Sequence, residues 1–284
     1  MKIGLVGSSG YISGFIIDRF KDKNQIIRID KNDEADYYLD LENASAFDYD
    51  ILNDLEYVIF PAAISGPDMC DKQFEMCWEI NVEGTSKFIE EALKRGNRVL
   101  FFSSDAVFGD DPDTVFDENS ETKASTAYGR MKKAVEDRFK DNHNFKAIRL
   151  SYVVSAKDKF AKYVLNCLKN DEICEVYDPF NRNCITIGDV ITCIDYLINN
   201  WDAYEPTFLN IAGKDLISRE DIVKELNKIY DNRIRYKVMY PGDDFYKSRY
   251  KTTRMTSLYL KKYQILPEES FTEKIKREFH EKVG

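Results

Sequence analysis

The chain has 284 residues, of which 43% are hydrophobic and 32% charged, and its formal net charge is -9 at pH 7. This composition is typical of a globular protein, and the acidic balance argues against the basic surface that a double-stranded nucleic acid needs. The longest apolar run covers residues 57–64, far short of the roughly 20 residues of a membrane-spanning helix. We therefore expect a cytoplasmic protein that binds neither nucleic acid nor membrane.

The cysteines and histidines do not form a metal-binding pattern. Six cysteines are spread along the chain without a Cys-x-x-Cys pair, and the two histidines, His143 and His280, have no ligand-spaced partner. Structural zinc sites need such clusters of ligands. We therefore expect reduced, buried thiols and no metal ion.

The first 150 residues alternate apolar runs with amphipathic segments. Strands are predicted at residues 2–6, 25–30, 37–39, 57–61, 98–103 and 145–150. Runs rich in Val, Ile and Phe without polar alternation are typical of strands covered on both faces, and the helices between them supply right-handed crossovers. The sequence therefore predicts an α/β fold with a doubly wound, Rossmann-like parallel sheet.

A glycine-rich turn follows the first predicted strand. Residues 7–14 read Gly-Ser-Ser-Gly-Tyr-Ile-Ser-Gly and open a helical pattern. Gly7 permits a tight turn, Gly10 lets the backbone approach a pyrophosphate, and the helix N-terminus offers N–H groups and a positive dipole. Ser13 stands where a third glycine is often found. The pattern favours dinucleotide binding, and an ordinary tight turn before a helix is the alternative.

The end of the second predicted strand carries a carboxylate. Asp30 lies 20 residues after Gly10, where a carboxylate can hold the adenosine ribose hydroxyls of NAD. A solvated aspartate is the alternative, and the neighbouring Lys31 could instead bind the 2'-phosphate of NADP. Either cofactor is therefore possible, with NAD favoured. Asp40 and Leu41 are expected to flank the adenine.

The predicted strand at residues 98–103 ends in polar residues: the hydroxyls of Ser103 and Ser104 and the carboxylate of Asp105. They lie at the sheet edge where open α/β folds bind ligands. Tyr128 and Lys132 have the spacing that places two side chains on one helical face. This set can couple proton and hydride transfer: Tyr128 exchanges a proton with a substrate oxygen that Ser104 holds. Lys132 and a nicotinamide would lower the phenol pKa from its usual value of about 10. An exposed tyrosine and lysine are the alternative.

In this order, the motifs resemble those of the extended short-chain dehydrogenase/reductases that act on nucleotide sugars. Residues 7–13, 103–109 and 128–132 match the family's nucleotide turn, strand-five segment and catalytic helix. The resemblance implies a nucleotide-sugar substrate, a homodimer, and catalytic roles for Ser104, Tyr128, Lys132 and a bracing Asn81. The cofactor-binding residues it predicts are Gly7, Ser9, Gly10, Tyr11, Ile12, Asp30, Lys31, Asp40, Leu41, Pro61, Ala62, Ala63, Ser103, Tyr128 and Lys132.

Within that family, residues 104–108 are most similar to dTDP-4-dehydrorhamnose reductases. Nucleotide-sugar 4,6-dehydratases place an Asp-Glu pair after the hydroxyl, whereas Ala106 follows Asp105 here. The resemblance therefore implies reduction of a nucleotide-linked 4-keto sugar, with hydride from the nicotinamide and the proton from Tyr128. An epimerase with the same residues and a non-catalytic dinucleotide-binding regulatory subunit are the alternatives.

The remaining chain is predicted to form a smaller, interleaved substrate lobe. A helix is expected at residues 160–169, a strand at 172–177, a strand and turn at 208–213, and a helix at 222–230 after the Ser218–Asp221 capping pattern. The predicted division is a dinucleotide-binding domain of residues 1–153, to which 184–214 return, and a substrate lobe of 154–183 and 215–284. The expected substrate contacts are Ser104, Asp105, Arg182 and Arg254. Arg182, Arg249 and Arg254 are candidate diphosphate ligands, and plain surface charge is their alternative.

Overall fold

The hydrophobic runs of the first half form the strands of one parallel sheet. The structure is a computed structural model and describes residues 1–280. The strands are β1 (Lys2–Val6), β2 (Gln25–Asp30), β3 (Tyr37–Tyr38), β4 (Tyr57–Phe60), β5 (Arg98–Ser104), β6 (Val115–Phe116), β7 (Phe145–Leu150), β8 (Val153–Val154), β9 (Cys174–Tyr177), β10 (Asn181–Arg182), β11 (Ile185–Thr186), β12 (Phe208–Ile211), β13 (Tyr236–Met239) and β14 (Thr252–Met255).

Helices connect most of these strands. They are α1 (Tyr11–Phe20), α2 (Pro67–Lys72), α3 (Phe74–Trp78), α4 (Thr85–Lys94), α5 (Ala127–Phe139), α6 (Lys159–Lys169), α7 (Ile187–Asn199), α8 (Arg219–Ile229), α9 (Asp243–Tyr246), α10 (Tyr259–Lys262) and α11 (Phe271–His280). A π-helical segment, Glu79–Gly84, joins α3 to α4. None of the helices in residues 1–280 is long and apolar enough to cross a lipid bilayer.

The central sheet has seven strands in the order β3-β2-β1-β4-β5-β7-β12, and every neighbouring pair is parallel. The chain therefore runs outward from β1 in one direction, then crosses back and runs outward in the other. This is the predicted doubly wound parallel sheet, which is confirmed. The carboxyl ends of β1, β4 and β5 meet at one edge, where such sheets bind ligands.

Both faces of the sheet are buried, which explains why its strands lack polar alternation. Tyr57 and Ile59 of β4 pack in one hydrophobic cluster with α1 and α7, whereas Val58 and Phe60 pack in another with α4 and α5. Each such fully buried side chain stabilises the fold by about 1.5–3 kcal/mol. All six cysteines are also buried, and they form no disulfide within the described residues.

Several element bounds differ slightly from the predicted ones for local reasons. β4 stops at Phe60 because Pro61 has no N–H to donate to a ladder. β9 begins only at Cys174 because Asp171, with φ of 56°, turns the chain before it. Helix α8 begins at Arg219, three residues before the predicted start, because Ser218 and Asp221 form both bonds of a capping box.

The C-terminal part contains smaller sheets, of which strands β9 and β11 pack against α6, α8 and α11. β10, β14 and β6 form one sheet, and the pairs β8/β11 and β9/β13 form two others. Through the pairing of Arg254 with Val115, β14 joins a segment that belongs to the first half of the chain. Sequence periodicity did not predict this sheet, since its strands have only two to four residues.

Candidate active site

The turn after β1 needs glycine at its first position. Gly7 has a φ of 82°, and a Cβ built on it would lie 2.8 Å from the Cα of Ala62. Ser13, in place of a third glycine, is fully buried, and its hydroxyl donates to the carbonyl oxygen of Gly7 at 2.7 Å. The serine thus fastens α1 to the turn instead of weakening the motif.

Helix α1 begins at this turn with its N-terminus uncapped by a side chain. Gly10 is the N-cap residue, no side chain of the described residues caps the helix, and the first turn carries no acidic residue. Next come Tyr11, whose hydroxyl lies 2.5 Å from Ser155 Oγ, and Ile12, which packs against the core. Free N–H groups at a helix start suit a pyrophosphate, so this turn fits the phosphates of a dinucleotide.

Asp30 lies directly beside the glycine turn. Its carboxylate accepts hydrogen bonds from the backbone N–H groups of Ser9 and Lys31, each at 2.7 Å. The Lys31 ammonium pairs with Asp40 at 2.6 Å, which raises the lysine pKa and lowers that of the carboxyl. The structure therefore turns the charge of Lys31 toward a carboxylate.

Asp40 and Leu41 lie in the connection after β3, which packs on the π-helical segment Glu79–Gly84. Asp40 caps a short 3-10 helix, Leu41–Ala46, by accepting the N–H of Glu42 at 3.1 Å. The carbonyl oxygen of Leu41 packs so closely on Gly84 that a Cβ there would lie 1.8 Å away. Glycine at position 84 is thus required for this contact.

Asn81 braces the loop that follows β4. It is 3% exposed, and its amide makes both backbone hydrogen bonds to Ile64: Nδ2 donates to the carbonyl at 2.9 Å and Oδ1 accepts the N–H at 2.8 Å. The loop contains Pro61, Ala62 and Ala63, and the N–H of Ala62 donates to Val6. The loop is thereby held against the glycine turn.

The end of β5 turns into a short 3-10 segment, Asp105–Val107, capped by Ser104. The Ser104 hydroxyl accepts the Ala106 N–H at 3.2 Å and donates to Asp105 Oδ1 at 3.0 Å. Ser103, by contrast, is buried. Among the described residues its hydroxyl has no hydrogen-bond partner. Ser104 is thus the hydroxyl that strand β5 presents at the sheet edge.

Helix α5 packs directly on this segment. A Cβ at Gly129 would lie 2.2 Å from the carbonyl oxygen of Ala106, so the helix can approach only because glycine stands there. Thr126 caps the helix by accepting the Gly129 N–H at 3.2 Å. Helix α5, which carries Tyr128 and Lys132, is therefore held against the segment that follows β5.

Burial dominates the electrostatics of Tyr128 and Lys132. It raises the pKa of Tyr128 above its usual value, to which the nearby Cys70 and Asp105 also contribute. It also lowers the pKa of Lys132 to about 7, although the ammonium lies 4.5 Å from the Phe101 ring centroid and 5.7 Å from that of Tyr128. In the ligand-free chain desolvation therefore outweighs the lysine charge. The lowering of the phenol pKa by Lys132 together with a nicotinamide stays a prediction.

Arg182 is not placed as a surface phosphate ligand. Its side chain is buried, and its guanidinium donates to the carbonyl oxygens of Asn181, Tyr250 and Lys251. Its Nε lies 3.2 Å from Asp105 Oδ2. A diphosphate would have to displace these partners, so we revise the predicted substrate contact of Arg182 to a contact with Asp105.

Of the other two predicted arginines, Arg249 is half-buried and Arg254 is exposed. Arg249 pairs with Asp68 at 2.6 Å and stacks on the ring of Phe245. Arg254 is exposed and lines a groove of about 340 Å³ together with Lys214 and Asn183. Arg254 is thus available to a ligand, and its role as a substrate contact stays a prediction.

Two residues near the site had no recognisable sequence signal. The hydroxyl of Tyr250 accepts the N–H groups of Ser125 and Thr126 at 2.9 and 3.3 Å, just before α5. The Arg219 guanidinium lies 5.0 Å from the Phe160 ring centroid and 4.3 Å from that of Phe180. Both pairings join segments that are far apart in the chain, which no local pattern records.

Comparison with protein families gives one match. The model described as the NAD dependent epimerase/dehydratase family matches residues 3–212. This segment contains the glycine turn, Asp30, Asn81, Ser104 and the helix with Tyr128. No curated protein matches the chain.

Solved structures are similar over nearly the whole chain. A dTDP-4-dehydrorhamnose reductase from Clostridium acetobutylicum has a TM-score of 0.83 at 21% identity, covering 99% of both chains. The enzyme of that name from Bacillus anthracis, solved with NADP, has a TM-score of 0.84 at 21% identity, again covering 99% of both. A UDP-glucose 4-epimerase from Thermus thermophilus, solved with NAD, has a TM-score of 0.80 at 14% identity, covering 98% of this chain and 97% of that one. These similarities confirm the predicted fold.

Proposed function

The chain belongs to the NAD dependent epimerase/dehydratase family, and we propose that it is a reductase of a nucleotide-linked 4-keto sugar. The observation that carries the proposal is the packing of Gly129 against Ala106, which holds the helix with Tyr128 and Lys132 against the segment that Ser104 begins. A tyrosine, a lysine and a serine hydroxyl at the carboxyl end of a central strand are the groups that such a reduction needs.

The residues around the glycine turn would hold the dinucleotide. The pyrophosphate would lie at the N-terminus of α1, beside Ser9 and Gly10, and Asp30 would accept hydrogen bonds from the adenosine ribose. Asp40 and Leu41 would flank the adenine, and Ala62 and Ala63 would line the opposite wall. When bound, the nicotinamide supplies the hydride that the chain's own side chains lack.

Tyr128 would act as the acid. Because burial raises its pKa, the phenol is protonated at neutral pH and can donate its proton to the oxygen of a carbonyl undergoing reduction. Ser104 would hold that oxygen by a hydrogen bond. Lys132, with its pKa near 7, would hydrogen-bond the nicotinamide ribose and stabilise the phenolate left after proton transfer.

Dehydration is disfavoured by the residues after Ser104. Ala106 supplies no acid or base at the position where dehydratases place a glutamate, and the Asp105 carboxylate is paired with Arg182. Elimination of water needs an acid and a base acting together. Reduction without elimination is therefore the better-supported reaction.

The substrate would lie between the sheet edge and the smaller lobe. We propose that residues 154–183 and 215–284 bind the sugar nucleotide, with Arg254 as one diphosphate ligand. Arg219 is a second candidate because its Nε is buried and has no hydrogen-bond partner in residues 1–280. A guanidinium fork suits phosphate oxygens. A homodimer is also proposed, which light scattering after size exclusion would test.

One experiment distinguishes the possible functions. The protein is incubated with NADH or NADPH and a panel of dTDP- and UDP-linked 4-keto sugars, and products are identified by NMR and mass spectrometry. A reduced sugar with stoichiometric oxidation of the cofactor supports the proposal. Inverted stereochemistry without net cofactor consumption indicates an epimerase, whereas binding without turnover indicates a regulatory protein. Tyr128→Phe is the inactive control.

A further inference from the structure

Arg182 brings a positive charge from the smaller lobe to the end of β5. Its guanidinium is held in place by three backbone carbonyls, including that of Tyr250 at 2.9 Å, and stacks 4.4 Å from the Phe180 ring centroid. Nε then faces Asp105 Oδ2 at 3.2 Å. The side chains of both partners are at most 12% exposed, so water screens this ion pair little.

The other carboxylate oxygen of Asp105 faces the Ser104 hydroxyl. That hydroxyl already accepts the N–H of Ala106 at 3.2 Å, and it lies 3.0 Å from Asp105 Oδ1. A hydroxyl has one hydrogen and two lone pairs, and an ionised carboxylate can only accept. While Asp105 is ionised, Ser104 must donate its hydrogen to it and can only accept from a ligand.

Protonation of Asp105 reverses this hydrogen bond. The acid then donates to Ser104 Oγ, whose second lone pair is filled, so the serine hydrogen becomes free to point at a ligand. A carbonyl oxygen accepts hydrogen bonds only. Holding a ketone therefore requires the protonated form of Asp105, whereas the ionised form suits a ligand hydroxyl that donates.

We propose that Arg182 is a positioning residue that, through Asp105, decides whether the Ser104 hydroxyl donates to the ligand or accepts from it. The proposal rests on the proposed function for the identity of the ligand oxygen, a keto group in one form and an alcohol in the other. It makes the two lobes act together at the reacting hydroxyl, since Arg182 and Ser104 come from different sheets.

The surroundings of Asp105 allow both forms. Burial raises the pKa of this carboxyl above its usual value, and the Arg182 charge opposes that effect, as does the hydrogen bond from Ser104. Within residues 1–280, Tyr128 and Cys184 also interact with Asp105, and burial raises the pKa of both, so that both are neutral near pH 7. Arg182 is therefore the charge that favours the ionised form.

The first test is the pH profile of kcat/KM for keto-sugar reduction. In the unmodified protein kcat/KM is expected to fall as pH rises through the Asp105 pKa. Arg182→Gln removes the opposing charge and should move this fall about one to three pH units higher, whereas Arg182→Lys should restore its position. Asp105→Asn should abolish the fall, because its amide donates to Ser104 at every pH.

If the buried ion pair between Arg182 and Asp105 had only a structural role, the results would differ. Each variant would then be less stable, and the pH profile of kcat/KM would not move. Asp189→Asn is the matched control, since it makes the same change in the buried pair of Asp189 with Lys274, and it should leave the profile unmoved. A fall that stays at the same pH in Asp105→Asn overturns the proposal, and so does one that Arg182→Gln fails to shift.

A second measurement does not need turnover. Infrared difference spectra between the unmodified protein and Asp105→Asn, recorded over a pH series, follow the C=O stretch of the protonated Asp105 carboxyl. In Arg182→Lys, which keeps the charge, the titration should stay near its original pH, and a large upward shift there would contradict the proposal. A titration that moves upward in Arg182→Gln supports the coupling even if no keto sugar is reduced, in which case only the proposed function fails. An unmoved titration in Arg182→Gln overturns the coupling itself.

Discussion

The carbonyl oxygen of Ala106 occupies the space where a side chain at Gly129 would lie, 2.2 Å from the position of its Cβ. Glycine is an unfavourable residue inside a helix, yet here it sets how closely α5 approaches β5. The contact determines where Tyr128 stands relative to Ser104.

Gly129→Ala should therefore lower both stability and activity. Alanine usually stabilises a helix by up to about 1 kcal/mol relative to glycine, but at Gly129 the methyl group must displace α5, at a cost of roughly 1–3 kcal/mol. Gly14→Ala is the control, because Gly14 lies in α1 with no atom within 4 Å of its would-be Cβ. Urea unfolding of both variants checks the prediction, which fails if both are stabilised.

Tyr128→Phe should reduce turnover by roughly 10²- to 10⁴-fold, the usual contribution of a positioned acid or base. The ring packs as before, so dinucleotide affinity and thermal stability should change little. Steady-state kinetics with the correct keto sugar, together with a fluorescence titration of the dinucleotide, make the measurement. Full turnover in this variant would exclude Tyr128 as the acid.

Lys132 should make the ligand-free protein more stable as pH rises. Its pKa is lowered to about 7 in the folded chain and is about 10.4 when unfolded, so between these values the unfolded state binds more protons. Stability then increases with pH across that window. At pH 6, Lys132→Met should be more stable than the unmodified protein by roughly 1–4 kcal/mol, a difference that shrinks toward pH 9.

The control for this experiment is Lys133→Met, one position along the same helix. Lys133 pairs with Asp137 at the surface, so its loss should leave the pH dependence of unfolding as it was. Equal slopes in the unmodified protein and Lys132→Met would show that Lys132 does not titrate in this range.

Asp30 and Asp40 should together set the cofactor preference. NADH is expected to bind more tightly than NADPH, because Asp30 would face the 2'-phosphate and Lys31 is drawn to Asp40. Asp30→Ala should narrow or reverse this preference. Asp40→Asn releases Lys31 and should improve NADPH binding several-fold relative to NADH binding. Titrations with both cofactors measure this, and tighter NADPH binding by the unmodified protein contradicts the assignment.

The sequence by itself determined the central sheet and the order of the site motifs. The bounds of β1, β2 and β7 follow from apolar runs, and the turn at Gly7 follows from a residue that tolerates positive φ. These features depend on neighbours within a few positions, which is why a pattern can reveal them. The family resemblance rests on the same local motifs.

Only the tertiary structure decided what the charged residues do. Arg182 looked like a phosphate ligand in the sequence, but the fold buries it beside Asp105, 77 positions earlier in the chain. Lys132 has the sequence position of a cation next to Tyr128, but only the packing around it shows that desolvation lowers its own pKa to about 7. A side chain's charge state and partner depend on burial and on contacts with distant segments. Neither burial nor these contacts can be inferred from the neighbouring residues in the sequence.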